Sequence, residues 1–115
     1  MPMPADRLRR TADALIAALN AFDTEAVQSL FTPDAVIDDP STGHRFEGHP
    51  GVADYVERYF AGYHTVTRVL SIERPGDGRA RVRVDFTGDF GHEIGVLDIR
   101  ANEEGLILRI DADLE

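Results

Sequence analysis

A pair of adjacent carboxylates is the main candidate for chemistry in this sequence. Asp38 and Asp39 end a short β-branched segment and stand directly before Pro40. Because side chains alternate along a strand, we expect Asp39 to face inward and Asp38 outward. A carboxylate held beside an acidic C–H group can act as a general base. An aspartate before proline also commonly accepts backbone N–H groups in a turn, so both roles stay open.

Three tyrosines form a second candidate group. Tyr55, Tyr59 and Tyr63 recur at four-residue intervals on the apolar side of a helical segment, and His64 follows them. A phenol whose ring is packed and whose hydroxyl lies in a pocket is a usual polar contact for an otherwise apolar ligand. The alternative is that these rings cover the core while their hydroxyls reach solvent.

Metal and nucleophile chemistry have little support in the sequence. His44 and His49 lie five residues apart in a glycine- and proline-containing loop, without a recognised spacing of metal ligands. A histidine at a mobile pocket rim, donating to a ligand oxygen, is the better interpretation of this pair. The chain has no cysteine, and its serines lack the context of a nucleophile elbow. We therefore expect neither a metal ion nor a cofactor.

Composition limits the class of protein. The chain has 115 residues, of which 12 are basic and 21 acidic, for a net charge of −9. All basic residues are arginines without a run, which argues against a nucleic-acid partner. With 43% apolar residues the chain predicts one domain, residues 1–115, with one modest pocket. Since no apolar run suits a signal peptide or a spanning helix, we expect a cytoplasmic protein without a membrane partner.

Periodicity predicts the elements that must position these groups. Apolar residues recur at helical spacing over residues 5–22, 25–31 and 51–63. Residues 35–40 predict a strand that runs into a loop at 41–48. Period-two segments at residues 65–73, 79–87, 93–101 and 106–114 are separated by turn signals and predict a four-strand antiparallel meander. The expected fold class is α+β.

Alternation also assigns the faces of the late strands. The inward residues are predicted to be Ala80, Val82, Val84, Phe86, Leu108, Ile110, Ala112 and Leu114. The opposite face carries charges of both signs. That face is either a solvated surface with cross-strand ion pairs or a polar homodimer interface.

Four segments resemble a known family. They are residues 17–23 (AALNAFD), 30–40 (LFTPDAVIDDP), 46–48 (FEG) and 104–111 (EGLILRID). Together with the order of elements, they resemble the NTF2-like superfamily, especially its SnoaL-like and ketosteroid-isomerase-like members. The resemblance covers nearly the whole chain. It implies three N-terminal helices packed in a strongly curved, mainly antiparallel sheet shaped as a cone, with a pocket at its open end and often a homodimer.

The resemblance also implies a role for one residue. In ketosteroid-isomerase-like members a carboxylate before proline, at the end of the first strand, moves a proton between two carbons of an enone. Asp39 occupies that position. Such members draw their oxyanion donors from a tyrosine of the first helix and an aspartate of the penultimate strand, whose positions here are Leu15 and Leu97. A tyrosine of the third helix or a rim histidine would have to replace them.

Two functions follow from these observations. The first is an isomerase or cyclase that catalyses cofactor-free proton transfer on a small hydrophobic carbonyl compound, a steroid-like enone or a polyketide, with Asp39 as general base. Its predicted substrate-binding residues are Leu15, Tyr55, Val56, Tyr59, Tyr63, Val84, Phe86, Leu97 and Ile110. The second, favoured by the missing donors, is a non-catalytic small-ligand-binding or dimerisation module. Epoxide hydrolysis needs an arginine and two aspartates inside the cone, whereas Arg83 and Asp85 are predicted to point outward.

Overall fold

Residues 5–115 are described by the computed structural model, so residues 1–4 of the predicted domain lie outside the described residues. The helices in this range are α1 (Ala5–Asn20), α2 (Thr24–Ser29) and α3 (Gly48–Val56). The strands are β1 (Phe31–Asp39), β2 (His44–Glu47), β3 (Val66–Gly76), β4 (Arg79–Gly88), β5 (Gly91–Ala101) and β6 (Ile107–Leu114). None of these helices is long and apolar enough to cross a membrane.

The first helix follows directly from its apolar stripe. Leu8, Leu15 and Leu19 lie one or two turns apart and are at most 4% exposed. The helix ends where Phe22 adopts a left-handed conformation with φ of 54°. A left-handed residue after the last turn is a common way to end a helix. The predicted helix over residues 5–22 is therefore confirmed, with its regular part ending at residue 20.

The second helix is shorter than the predicted segment, residues 25–31. Asp23 caps it by accepting a hydrogen bond of 3.1 Å from a backbone N–H of the first turn. The helix stops because the carbonyl of Leu30 accepts the N–H of Ile107 at 2.7 Å, which brings the chain into the sheet. Phe31 is consequently the first residue of β1, and its predicted helical state is wrong. Pairing with a distant strand overrides the local helical pattern.

The sheet contains one strand that the sequence did not indicate. Its order is β2-β1-β6-β5-β4-β3, and the predicted meander of β3 to β6 is confirmed. β2 lies inside the segment predicted as a loop, residues 41–48, and pairs antiparallel with β1. β1 also pairs with β6, in parallel, with Ile37 opposite Ile110. The mixed α+β fold with a curved, mainly antiparallel sheet and three helices agrees with the expected fold class.

The third helix begins earlier than predicted and changes its pitch. After α3 the chain continues as a π-helical turn, Glu57–Ala61. The N–H of Gly62 donates to the carbonyl of Glu57 at 2.9 Å, so this bond spans five residues instead of four. The segment predicted as an ordinary helix over residues 51–63 is thus an α-helix followed by a wider turn. Such turns are frequent at functional sites.

The helices and the inward face of the sheet share one core. Val56 of α3, Leu15 of α1 and Val82 of β4 are all at most 1% exposed within it. Leu108 was predicted to point inward, but it is 43% exposed. Leu114 is 38% exposed and still faces the inward side, where it lines a cavity. The register of β5 and β6 shifts beside Ile107, which takes the inward position before Leu108, while Leu114 lies at the strand end.

The outward face of the sheet carries cross-strand ion pairs. Arg81 donates to Asp98 at 3.0 Å, and Arg109 donates to Asp111 at 2.8 Å and to Asp38 at 3.2 Å. Asp38 therefore faces outward, as alternation predicts. The pair between Arg109 and Asp38 connects β6 with its parallel neighbour β1.

Arg83 and Asp85 also belong to the outward face. The guanidinium of Arg83 donates to both carboxylate oxygens of Glu115, at 2.7 and 2.8 Å. Asp85 is only 8% exposed, because Arg68 and His92 cover it at 3.0 and 2.6 Å. These partners keep both side chains away from the inward face, so they do not form the arginine–aspartate arrangement of an epoxide hydrolase.

Candidate functional site

A cavity of about 220 Å³ lies at one end of the fold, beyond the carboxyl end of β1. Its walls come from the turn after β1, from α3 with its π-helical turn, and from the ends of β4, β5 and β6. The lining residues are Asp39, Ser41, Thr42, Tyr55, Tyr59, Phe60, Tyr63, Thr65, Phe86, Phe90, Glu93 and Leu114. The cavity thus combines aromatic rings with a small number of polar groups, which is the usual composition of a ligand pocket.

Asp39 is the buried carboxylate of this cavity, with 8% of its surface exposed. Oδ2 accepts the hydroxyl of Tyr55 at 2.7 Å. Oδ1 accepts the backbone N–H of Ser41 at 3.1 Å and its hydroxyl at 2.6 Å. Asp39 therefore caps the short turn after β1, as its place before Pro40 allows, and it also faces the cavity.

Tyr55 is the donor opposite Asp39. Burial is the largest cause that raises its pKa well above the usual tyrosine value, and the charge of Asp39 and the hydrogen bond to it raise the pKa further. The phenol consequently keeps its proton at neutral pH. Its ring packs between Phe46 and Phe60, at centroid distances of 5.0 and 5.5 Å, so its hydroxyl has a fixed direction.

The three tyrosines form a continuous row along one wall. The rings of Tyr55 and Tyr59 lie 5.7 Å apart, and those of Tyr59 and Tyr63 lie 6.4 Å apart and stacked. In a regular α-helix residues four apart drift around the axis, whereas the intervening π-helical turn is wider. The wider turn explains how all three rings reach the same cavity.

The rim of the cavity is held by the turn between β4 and β5. The ring of Phe90 contacts that of Tyr63 edge to face at 6.1 Å. The N–H of Asp89 donates to the carbonyl of Tyr63 at 2.8 Å, and its carboxylate lies 2.9 Å from His64 Nδ1. Phe90 and Tyr63 remain 41% and 44% exposed, so they form the mouth of the cavity.

Glu93 is a second carboxylate of the cavity, and it is not among the site residues predicted from the sequence. It lies near the start of β5, opposite Phe86. The signal was present in the alternation of β5, since Glu93 shares its face with the buried residues Leu97 and Ile99. A charge on an otherwise apolar strand face indicates either a strand end or a functional position.

Residues 12–110 match the family model of the SnoaL-like domain. This chain belongs to the SnoaL-like family. A comparison with curated protein sequences finds no significant match. Among solved structures, those similar to this SnoaL-like protein have low sequence identity and establish the fold alone.

Three of those structures carry names that describe a fold or an activity. A putative ketosteroid isomerase from Kribbella flavida has a TM-score of 0.83 at 20% identity, covering 96% of this chain and 78% of its own. A putative polyketide cyclase from Sinorhizobium meliloti has a TM-score of 0.81 at 23% identity, covering 90% and 93%. An NTF-2 like protein of unknown function from Burkholderia xenovorans has a TM-score of 0.81 at 16% identity, covering 96% and 84%.

The structure places eight of the nine predicted substrate-binding residues of this SnoaL-like protein in two groups. Tyr55, Tyr59, Tyr63 and Phe86 line the cavity together with Asp39. Leu15, Val56, Leu97 and Ile110 surround a gap of about 10 Å³ deeper in the core, and Tyr55 also borders it. Val84 is fully buried and lines neither space. Since about 10 to 15 Å³ is needed to hold one water molecule, the deep end of the cone is filled by side chains.

The two histidines predicted at the rim lie elsewhere in the SnoaL-like domain. His49 Nε2 makes a hydrogen-bonding contact of 3.0 Å with the carbonyl of Phe31, and the ring of His44 packs against Phe46 at 6.3 Å. Neither lines the cavity, so their rim role is wrong. Among the described side chains, those of residues 7–115, no group of three or more histidine, aspartate or glutamate residues is arranged to hold a metal ion.

Proposed function

We propose that this SnoaL-like protein catalyses proton transfer on a small, largely apolar carbonyl compound, as an isomerase or cyclase, with Asp39 as general base. The observation that supports the proposal is the pairing of a buried carboxylate with a phenol donor, 2.7 Å apart, on the wall of an aromatic cavity. General-base chemistry on a carbonyl compound needs a base beside the C–H group and a donor for the oxygen that becomes an oxyanion.

In the first step, Asp39 Oδ2 accepts a proton from a carbon adjacent to the carbonyl or conjugated with it. The C–H electron pair then forms an enolate. In an isomerase, the neutral acid of Asp39 returns the proton to another carbon of the same system. In a cyclase, the enolate carbon attacks a second carbonyl of the molecule, and the new alkoxide takes the proton. Both reactions leave Asp39 ionised and need no oxidant or reductant.

Tyr55 supplies the oxyanion donor in this proposal. Without substrate its hydroxyl donates to Asp39. When Asp39 takes up the proton, its oxygen becomes a weaker acceptor, while the enolate oxygen becomes a stronger one, so the hydroxyl transfers its hydrogen bond to the substrate. The interaction is then gained as charge moves in the transition state, which is where a donor accelerates the reaction. Ser41 stays with Asp39 and fixes the direction of the carboxylate.

The cavity volume limits the substrate. A cavity of about 150 Å³ holds benzene, so about 220 Å³ holds one or two rings. Leu15 and Leu97 close the deeper part of the cone. A larger substrate would therefore place one end beside Asp39 and extend its remainder through the mouth between Tyr63 and Phe90.

Hydrogen–deuterium exchange on candidate ketones tests the base. The protein is incubated in D₂O with small aryl ketones and cyclic enones, and deuterium at carbon is followed by NMR and mass spectrometry. We expect Asp39→Asn to reduce catalysed exchange by at least about 100-fold, since general-base catalysis contributes typically 10²–10⁴-fold.

Asp38→Asn is the matched control, because it neutralises the neighbouring carboxylate on the outward face. It should keep the exchange rate of the unchanged protein. Equal exchange by the Asp39 variant and the unchanged protein would sink the assignment of Asp39. Circular dichroism and thermal unfolding of both variants separate a chemical effect from a loss of folding.

A non-catalytic ligand-binding module is the second candidate. It is favoured by the three hydrogen bonds that Asp39 accepts from within the protein and by the leucines at the usual donor positions. This function predicts that aromatic ketones bind in the cavity and stabilise the protein thermally, without any deuterium exchange beyond the rate in buffer.

A further inference from the structure

The charged side chains that line the cavity are all negative. Its lining contains two carboxylates, Asp39 and Glu93, and none of the chain's arginines. The guanidinium of Arg58 is close, but it pairs with Asp54 at 3.4 Å and lies over the ring of Tyr59 at 5.5 Å without lining the cavity. An anionic ligand would meet two like charges here with no cation to compensate them.

The two carboxylates differ in how far their charge is already compensated. Asp39 accepts hydrogen bonds from Tyr55 and from both the backbone and the side chain of Ser41. Glu93 is exposed at the rim, and among the side chains of residues 7–115 its carboxylate has neither an ion-pair nor a hydrogen-bond partner. A ligand cation would therefore gain most beside Glu93.

Aromatic rings line the same cavity as Glu93. They are those of Tyr59, Tyr63, Phe86 and Phe90, and Phe86 stands opposite Glu93 in the pairing of β4 with β5. Aromatic rings attract cations that approach their faces to within about 6 Å of the centroid, and the contact of Arg58 with Tyr59 already uses one such face. A carboxylate beside several rings is the composition that recognises an ammonium group on an apolar molecule.

We propose that the outer half of the cavity, formed by Glu93, Tyr63 and Phe90, binds a positively charged nitrogen of the ligand. The ligand class is a cationic amine or quaternary ammonium compound with an aromatic or cyclic apolar body that extends inward toward Asp39. The inference uses the cavity of the proposed function and specifies its substrate, as a carbonyl compound with an ammonium group at the opposite end. It does not depend on proton transfer.

Three probes of similar size and different charge test this assignment. They are 2-phenylethylammonium, 2-phenylethanol and 3-phenylpropanoate, titrated by calorimetry at neutral pH and low salt, with aromatic NMR shifts to locate binding. We expect the cation to bind roughly five- to tenfold more tightly than the alcohol, and the anion most weakly. Added salt should narrow these differences, because the rim is exposed to solvent.

Glu93→Gln removes the rim charge with little change of shape. It should lower the ratio of cation to alcohol affinity by about threefold or more and leave the alcohol affinity unchanged. Glu104→Gln is the matched control, since it removes the same charge from an exposed residue beyond the opposite end of β5. That variant should keep the original ratio. Phe90→Leu should weaken binding of the cation more than binding of the alcohol.

Equal affinities for the three probes, or no binding by any of them, would overturn the inference. An unchanged ratio of cation to alcohol affinity in Glu93→Gln would also overturn it. If Asp39→Asn alone abolished the preference for the cation, the cation would be assigned to the inner carboxylate instead. The deuterium-exchange experiment tests the proposed proton transfer independently of cation binding. A protein that binds cations through Glu93 but shows no exchange supports the rim site and contradicts the general base.

Discussion

At the scale of single residues, Tyr55 joins the core to the candidate site. Its ring is packed among other aromatic rings and its hydroxyl donates to Asp39. The sequence placed both residues near a pocket, because Asp39 stands before Pro40 and Tyr55 lies on a helical stripe. It could not show that they contact each other, since the orientation of each side chain depends on strand pairing and packing elsewhere.

Replacing Tyr55 by phenylalanine tests this contact energetically. The change removes one buried hydrogen bond to a carboxylate, so we expect the free energy of unfolding at pH 7 to fall by about 1.5–3 kcal/mol. Because the folded pKa of Tyr55 is raised, its contribution is complete below about pH 10, the usual tyrosine value, and is lost as the pH rises through the folded value. Urea unfolding at several alkaline pH values measures the difference between the two proteins.

Tyr63→Phe is the control for that experiment, because its hydroxyl belongs to an exposed residue. It should change the free energy of unfolding by less than about 0.5 kcal/mol. An equal loss in both variants, or a difference for Tyr55→Phe that already shrinks below pH 9, would contradict the contribution assigned to the buried phenol.

Among the helices and strands, the sequence pattern correctly predicted those whose formation depends on interactions between residues close in the chain. α1 and the meander of β3 to β6 were predicted because a clear stripe or an alternation fills each segment and turn residues separate the strands. β2 was missed, since Phe46 is its one buried residue. The π-helical turn was missed because its five-residue hydrogen bond leaves no distinct mark in the spacing of apolar residues. The end of α2 was set by pairing with β6, far away in the chain.

Gly95 of β5 shows how an element shapes the cavity. A Cβ added there would lie 2.9 Å from Cε2 of Phe86 and 2.9 Å from the carbonyl oxygen of Asp113. Gly95→Ala should therefore push the Phe86 ring into the cavity and strain the pairing of β5 with β6. We expect the free energy of unfolding to fall by about 1–3 kcal/mol, as in other overpacked sites, and the affinity for 2-phenylethanol to fall.

The comparison variant for that change is Gly76→Ala. Its Cβ would meet no atom nearer than 3.9 Å, and its φ is not left-handed. Stability should remain equal or rise slightly, because alanine restricts the unfolded chain. Unchanged probe binding by Gly95→Ala would show that Phe86 does not set the width of the cavity.

Across the molecule, acidic residues outnumber basic ones, and arginines on the outward face of the sheet pair with several of the carboxylates. Arg109 donates to Asp111, and this hydrogen bond is the largest cause that holds the pKa of Asp111 below its usual range. The ionised form is thus favoured on folding. Its contribution is present above the usual aspartate pKa near 3.9 and is lost as the pH falls through the lower folded value.

Asp111→Asn should lower the free energy of unfolding at pH 7 by up to about 1 kcal/mol, as expected for an exposed pair. The difference from the unchanged protein should disappear in strong acid. Urea unfolding across the acid range measures it, with Asp13→Asn of the exposed face of α1 as the control. A difference that is constant from neutral pH into strong acid would contradict an ionic contribution.

The parallel pairing of β1 with β6 has a consequence for the order in which the molecule assembles. The ion pair between Asp38 and Arg109 joins residues separated by 71 positions, whereas the hairpins of the meander join near neighbours. Closing a long loop costs conformational entropy before the contacts between its ends can compensate, so folds rich in distant contacts form slowly. The hairpins can form while β1 is still undocked. The end of β1 that carries Asp39 is therefore expected to reach its place late in folding, after much of the sheet that supports it already exists.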